Sequence, residues 1–400
     1  MRNSRKLFFV AVLAANAAFA ACGDDDNLVR TRPDGGVDAA ADAALEGSVL
    51  ACGVPIPSVY LSPNFAINAK EELDLKSNVL AIGDKMKSAE GATPAAVTAG
   101  DLNTLFNAGT PSLRQVATAY TQSTVDAYIT QFADAATKTW MPSDADADAG
   151  GVDGGSDGGI ASGGKYAGAS IFSATGLNFR EATQKLLLNG ALYNYALVLA
   201  SGAITEGTID RFVALYGATP SFANRSDVEA GALQDQLIAG FASQRDNKLP
   251  QSPGPYTKIA HALRAAKAAA SGGDKCRGDL ASAMNIYFLE WEKTSYLTVI
   301  YDLNQAATKA TASPQLGEPA LRAFGAAIGA VESFRGIPQD RRKITDTQID
   351  TLMTHIGGAT PYQLVTKSNE RAVAFNGAFN DIGAVYSLTP TQIEDAKKAY

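Results

Sequence analysis

The chain has 400 residues, 46% of them apolar, and carries a formal charge of −7 with an isoelectric point near 5.0. That balance argues against a nucleic-acid partner, which needs a basic stripe to neutralise phosphates, and no polybasic patch offers itself to anionic lipid. Without long charge blocks, the chain has enough apolar material for one large or two ordinary domains with a substantial buried core.

Arg2, Arg5 and Lys6 precede an apolar run from Leu7 to Ala15. The run fits a secretory signal and is too short to span a bilayer, which takes about 20 apolar residues. Residues 1–21 therefore read as a signal peptide. Phe19-Ala20-Ala21-Cys22 reads as a lipobox, with Cys22 as the lipidated residue; the alternative is cleavage after Ala18-Phe19-Ala20, releasing a soluble periplasmic chain. The tract that follows, Gly23-Asp24-Asp25-Asp26 and then Ala, Asp and Gly, lacks the material for a core and is expected to be a disordered tether over residues 22–58. Lipid anchoring explains such a tract, since several acyl chains, at about 0.8 kcal/mol per buried methylene, hold a chain to a membrane without a spanning helix. The expected location is the cell envelope, as an outer-membrane lipoprotein on the periplasmic or surface face. Lipidation of Cys22 leaves Cys52 and Cys276 as the remaining thiols. An oxidising compartment permits one bridge between them, and two separate free thiols are the alternative, because sequence does not fix their distance.

From Asn64 onward the apolar period is helical. Helices are expected over 66–89, over a short segment capped by Thr98, and from Pro111 to about 137. Residues 142–165 then read as a flexible acidic insertion. In it Asp144, Asp146 and Asp148 imitate the opening of a calcium loop, but Ala149 stands where glycine is required and Gly155 where the bidentate glutamate belongs. Gly159 to Lys165 spells G-x-x-x-x-G-K, with Tyr166 in place of the magnesium-binding Ser or Thr. A helix from 177 to 200, apolar on most of its circumference, is expected at the centre. Further helices follow over 205–216, 227–247, 256–271, 273–311, 319–334, 346–355, 362–386 and from Pro390. The expected fold is all-α, about ten helices in a multi-helix bundle, either two fused four-helix-type bundles or one. Residues 59–400 form the helical domain.

At Gly176-Leu177-Asn178-Phe179-Arg180-Glu181 the chain resembles imelysin-like proteins, which carry Gly-x-His-x-x-Glu at the start of a core helix; here Asn178 replaces the histidine. Taken over residues 66–400, it more closely resembles the bacterial lipoprotein family known as domain of unknown function 4856. The resembling stretches are LNTLFNAGTPSLRQV from Leu102, LYGATPSFAN from Leu215, WEKTSYLTVIYDLN from Trp291 and RGIPQDRRKITDTQI from Arg335. The resemblance implies a periplasmic or surface helical lipoprotein associated with iron or haem acquisition, with an outer-membrane uptake receptor as its protein partner. It also brings a proposed metallopeptidase activity, which the change to asparagine puts in question.

Read physically, Asn178 and Glu181 lie three apart on a helix and share a face, so a joint ligand site for iron, haem or a hard cation is one reading. A plain helix cap by Asn178 is the other, and the favoured one. His261 and His355 are the only histidines, too few for a zinc peptidase. Glu290 and Glu292 flank Trp291, so one of them is expected to face inward. If Glu292 does, it needs a partner such as Arg335, Arg341 or Arg342, with a structural ion pair as the favoured reading and a binding-site carboxylate as the alternative. The leading expectation is a non-enzymatic binding or accessory protein in metal acquisition. A metal-dependent hydrolase using Glu181, and a structural envelope lipoprotein that binds proteins, are the alternatives.

Overall fold

The computed structural model describes residues 48–91, 93–140, 163–166, 170–222, 235–246, 253–312, 317–357 and 361–398. Fourteen α-helices of six or more residues are found among them: α1 Lys70–Ser88, α2 Ala99–Phe106, α3 Ala119–Ala135, α4 Phe179–Leu187, α5 Asn194–Ala200, α6 Glu206–Tyr216, α7 Leu237–Asp246, α8 Pro255–Gly272, α9 Arg277–Ala312, α10 Glu318–Ser333, α11 Asp346–Gly357, α12 Pro361–Thr366, α13 Ser368–Tyr386 and α14 Pro390–Lys397. The fold is helical, as the periodicity requires, with more and shorter helices than the apolar pattern alone suggests.

The extra breaks have local causes. Thr118 caps α3 through its hydroxyl and gives its amide to Gly190 O, so the helix expected from Pro111 begins at Ala119 instead, after a single turn over Leu113–Val116. Lys367 takes an extended backbone between α12 and α13, and the Arg371 guanidinium bonds the released carbonyls of Leu364 and Val365. Side-chain caps at Thr98, Thr205 and Thr389 start α2, α6 and α14 where the sequence places them.

The axis of the molecule is α9, packed between α8 and α10, with α4 against α10 on the far side. Around Trp291 the rings of Tyr193, Phe212, Tyr216, Tyr287 and Phe288 meet mostly edge to face, the arrangement aromatic quadrupoles favour. Because α9 is covered on several sides, Glu290 and Glu292 are both buried, 6% and 1% exposed, against the expectation that only one faces inward. A single apolar cluster runs from Leu50 to Ala396, so one continuous core spans both halves of the chain.

Two boundaries move. Leu50 and Tyr60 belong to the core, and Cys52 is joined to Cys276 by a disulfide with Cα atoms 5.1 Å apart. The packed body therefore includes described residues ahead of the boundary expected at 59; a hairpin can bury side chains against helices without forming one. Downstream, Gly164–Tyr166 (β1) pairs antiparallel with Ser170–Phe172 (β2), Gly164 opposite Phe172. The insertion expected over 142–165 thus ends in a strand, and Lys165 lies on that strand, not in a phosphate-binding loop before a helix. Asp144, Asp146 and Asp148 lie outside the described residues, as do Cys22 and the tether to residue 47.

Candidate functional site

The central helix predicted from 177 to 200 forms as α4 and α5 joined by a wider, π-helical segment, Leu188–Tyr193. Single π-turns inside α-helices recur at functional sites, because the inserted residue swings side chains off the regular faces. Close packing at Gly190 accompanies it. A Cβ there would lie 2.2 Å from the Thr121 hydroxyl, and one on Gly336 would lie 2.3 Å from Gly190 Cα, so two backbones touch where only glycine fits. The segment aims Asn189 into the core. Its amide oxygen accepts from Trp291 Nε1 at 3.0 Å and Ser295 Oγ at 3.2 Å, and its amide nitrogen donates to Ser333 Oγ at 2.8 Å. A void of about 10 Å³ lies beside this hub, against Lys185, Phe241, Thr298 and Ser333, and is room for about one water.

One turn upstream, α4 borders an open cleft of about 280 Å³. Its walls are Glu181 and Lys185 from α4, Phe241 from α7, Tyr301, Asp302, Gln305 and Lys309 from α9, and Pro319, Arg322, Ala323 and Ala326 from α10. The small residues Ala323 and Ala326 of α10 leave the space that the long polar side chains edge. Lys185 Nζ stands 3.2 Å from Asp302 Oδ2 and 3.6 Å over the Phe241 ring. Lys185 and Phe241 line both the cleft and the inner void, and form the partition between them.

Asp302 is the perturbed carboxylate of the cleft. Burial raises its pKa, opposed by the charges of Lys185 and Arg245. The ion pair leaves Oδ2 without an aligned hydrogen bond. Arg245, itself buried, is lowered to about 10 by desolvation and stacks on the Tyr301 ring at 4.4 Å. Lys309 is exposed and has no carboxylate partner among the described residues.

The residues singled out in the sequence divide. Asn178 is the N-cap of α4: its Oδ1 accepts from Glu181 N at 3.0 Å and its amide nitrogen reaches Ile171 O at 3.4 Å. Its oxygen therefore serves the backbone and does not converge with the Glu181 carboxylate on a ligand. Glu181 reaches the cleft wall but is held by Arg322 at 3.0 Å and Arg180 at 3.2 Å; Arg180 in turn pairs with Glu90 at 3.3 Å, whose pKa burial raises despite that partner. Glu292 lies elsewhere, accepting from Lys343 N at 2.9 Å and Tyr386 Oη at 2.8 Å. Arg342 spends its donors on Ile337 O, Ile344 O and Asp346, and Arg335 on Asp350 and Glu332. His355 pairs with Asp381 at 3.2 Å and His261 meets Ser48 at 3.4 Å, far apart in role and neither in the cleft. The Cys52 and Cys276 sulfurs lie with the Asp279 carboxylate within 4.8 Å, a cluster of metal-ligand types. The sulfurs are oxidised, however, and Asp279 accepts the amides of Ala51 and Cys52 at 3.1 and 3.0 Å.

Sequence reasoning missed Lys185, Asp302, Arg322 and Lys309. A signal was present for Lys185: it is the last charge of a helix read as apolar on most of its circumference, with none from 186 to 200, and a charge so placed needs a partner of opposite sign. No protein-family model matches the chain, and no curated protein or solved structure does either.

Proposed function

We propose that this chain is a lipid-anchored, non-enzymatic binding protein of the cell envelope, an accessory in metal acquisition whose ligand site is the cleft between α4, α9 and α10. Attachment rests on the Cys22 lipobox; no helix among the described residues is long and apolar enough to cross a membrane.

The observation that carries the reading is the donor set of the cleft. Lys185, Lys309 and Arg322 outnumber Glu181 and Asp302, and both carboxylates already face cations. A bare divalent or ferric ion would meet net positive charge and no imidazole, an unfavourable site on both counts. A metal presented as a small anionic chelate meets the reverse: Lys309 and the unused donors of Arg322 for its carboxylates, Gln305 for a hydroxyl, and Phe241 and Ala323 for its apolar edge. At about 280 Å³ the cleft stands at the lower end of ligand pockets, about 300–1,000 Å³, which favours a compact chelate over a porphyrin.

The hydrolase alternative loses support because Glu181, its central acid, is shared between two arginines. Equilibrium dialysis of the full-length protein against ferric citrate, haem and free manganese tests the proposal. Saturable binding of ferric citrate, abolished in Lys309→Glu with the helical circular dichroism intact, is expected. Binding of free manganese alone, or of none of the three, overturns it.

A further inference from the structure

The segment from Ser48 to Ala69 contains no Asp, Glu, Lys or Arg, although acidic sequence precedes it and Lys70-Glu71-Glu72 follows. Its first part is a strap that opens with a tight hairpin, Val49 bridging Pro55 across a turn at Ala51–Gly53, and runs on without regular structure to Asn64. Leu50, Cys52, Val54, Ile56 and Tyr60 turn toward the body, while Val49, Ala51, Pro55, Pro57, Val59 and Leu61 are exposed. A surface segment ordinarily sets apolar side chains inward and polar ones toward water. Here both faces are apolar. Of the large hydrophobic side chains most exposed among the described residues, Val49 (59%), Val59 (57%), Leu61 (68%) and Ile67 (77%) all lie in this strap, leaving only Val198 and Val373 elsewhere. Scattered single apolar residues need no explanation, but their concentration in one uncharged strip marks an interaction surface.

The strap is also fixed to the body along its length. The Cys52–Cys276 disulfide and Asp279 hold its start, and Arg264 bonds Ser58 O. Near its end, Tyr60, Ser62 and Asn68 all donate to Asp210. Its outward side chains are therefore presented and not free to fold inward.

What lies opposite follows from the chain itself. The strap begins where the segment from Cys22 arrives, and that segment, even fully extended at roughly 3.5 Å per residue, reaches at most about 90 Å. A lipid on Cys22 keeps the strap within this distance of a bilayer at all times. Under such tethering, contacts too weak to bind from solution become populated, because the effective concentration of surface is high.

We propose that the strap from Ser48 to Ala69 is a lipid-contacting surface, with Val59, Leu61 and Ile67 resting at the headgroup–acyl boundary of the bilayer that holds Cys22. This rests on the anchor reading above. It sets the face of the body that meets the membrane, and with it the face left for ligand and partners.

Leu61→Trp and Val373→Trp, each in lipidated full-length protein, test it in vesicles of phosphatidylcholine brominated on the acyl chains. The native tryptophans at 140 and 291 are buried, 4% and 0% exposed, and give a constant background. Flotation with the vesicles first establishes the anchor; a chain that fails to float defeats the anchor reading, and the strap proposal falls with it. In floating protein, shallow insertion of a few ångströms should quench roughly half of the added Leu61→Trp emission and leave that of Val373→Trp unchanged. Equal quenching of both overturns the proposal, since the body then has no preferred face. Quenching of neither, in protein that floats, also overturns it and assigns the strap to a protein partner.

Discussion

Asp210 on α6 and Asp302 on α9 are both buried, yet their surroundings drive them in opposite directions. Burial works against the charge of each. At Asp210 it is outweighed by hydrogen bonds from Asn68, Lys267, Ser62 and Tyr60, at 2.5 to 2.8 Å, and the pKa falls below the ordinary carboxylate value. At Asp302 the charges of Lys185 and Arg245 do not compensate, and the pKa rises. The lesson is that the supply of donors, more than depth, separates a carboxylate that fastens the fold from one held in reserve beside a cleft. The Asn189 hub sits with the first kind, its amide oxygen accepting twice and its amide nitrogen donating to Ser333 beside room for about one water.

The contrast can be broken most severely at its well-satisfied end. Asp210→Ala strands the Lys267 ammonium and the Tyr60 hydroxyl and should cost about 3–5 kcal/mol, read from urea unfolding. Opening the disulfide, which secures the other end of the same strap across a separation of 224 residues, should cost roughly 3 kcal/mol in Cys276→Ser. A loss near zero in either would mean that the strap is not integral to the body.

The opposite pKa directions give opposite pH dependences. Asp302, raised, favours the folded state most at low pH, and that benefit fades as pH rises through its folded value. Asp210, lowered, stabilises above the ordinary value near 3.8, and its contribution is lost as pH falls through the lower folded value. Asp302→Asn should therefore remove a relative gain in stability between about pH 7 and 4, while Asp210→Asn should flatten a loss below about pH 4. Urea midpoints at pH 7, 4 and 3 distinguish the two, and identical curves for both variants would erase the contrast. The smallest effect is expected at Asn178→Ala, about 1 kcal/mol from the lost cap with ligand binding unchanged. A loss of binding without loss of stability would return Asn178 to the ligand site.

Much of the helical frame was legible in the sequence because capping is local: Thr98, Thr205 and Thr389 announce their helices within three residues. The breaks at Thr118 and Lys367 were not, because each depends on a carbonyl or guanidinium supplied from elsewhere in the chain or the fold, Gly190 O in the first case. Asn178 was readable as a cap from the glycine before it and the glutamate three residues on. The cleft was not, since Lys185, Asp302 and Arg322 come together only when α4, α9 and α10 pack, and no spacing along the chain records that meeting. The strap escaped for a related reason: its low-complexity approach reads as tether, and only the burial of Leu50 and Tyr60 shows that the segment packs on the body.

Hydrogen–deuterium exchange of the full-length protein, with and without ferric citrate, tests the binding site most directly. Slower exchange confined to the facing stretches 301–309 and 318–326, with the region around Asp210 unchanged, is the expected result. Unchanged exchange in both stretches at saturating ferric citrate, or slowing centred on Asp210, contradicts it.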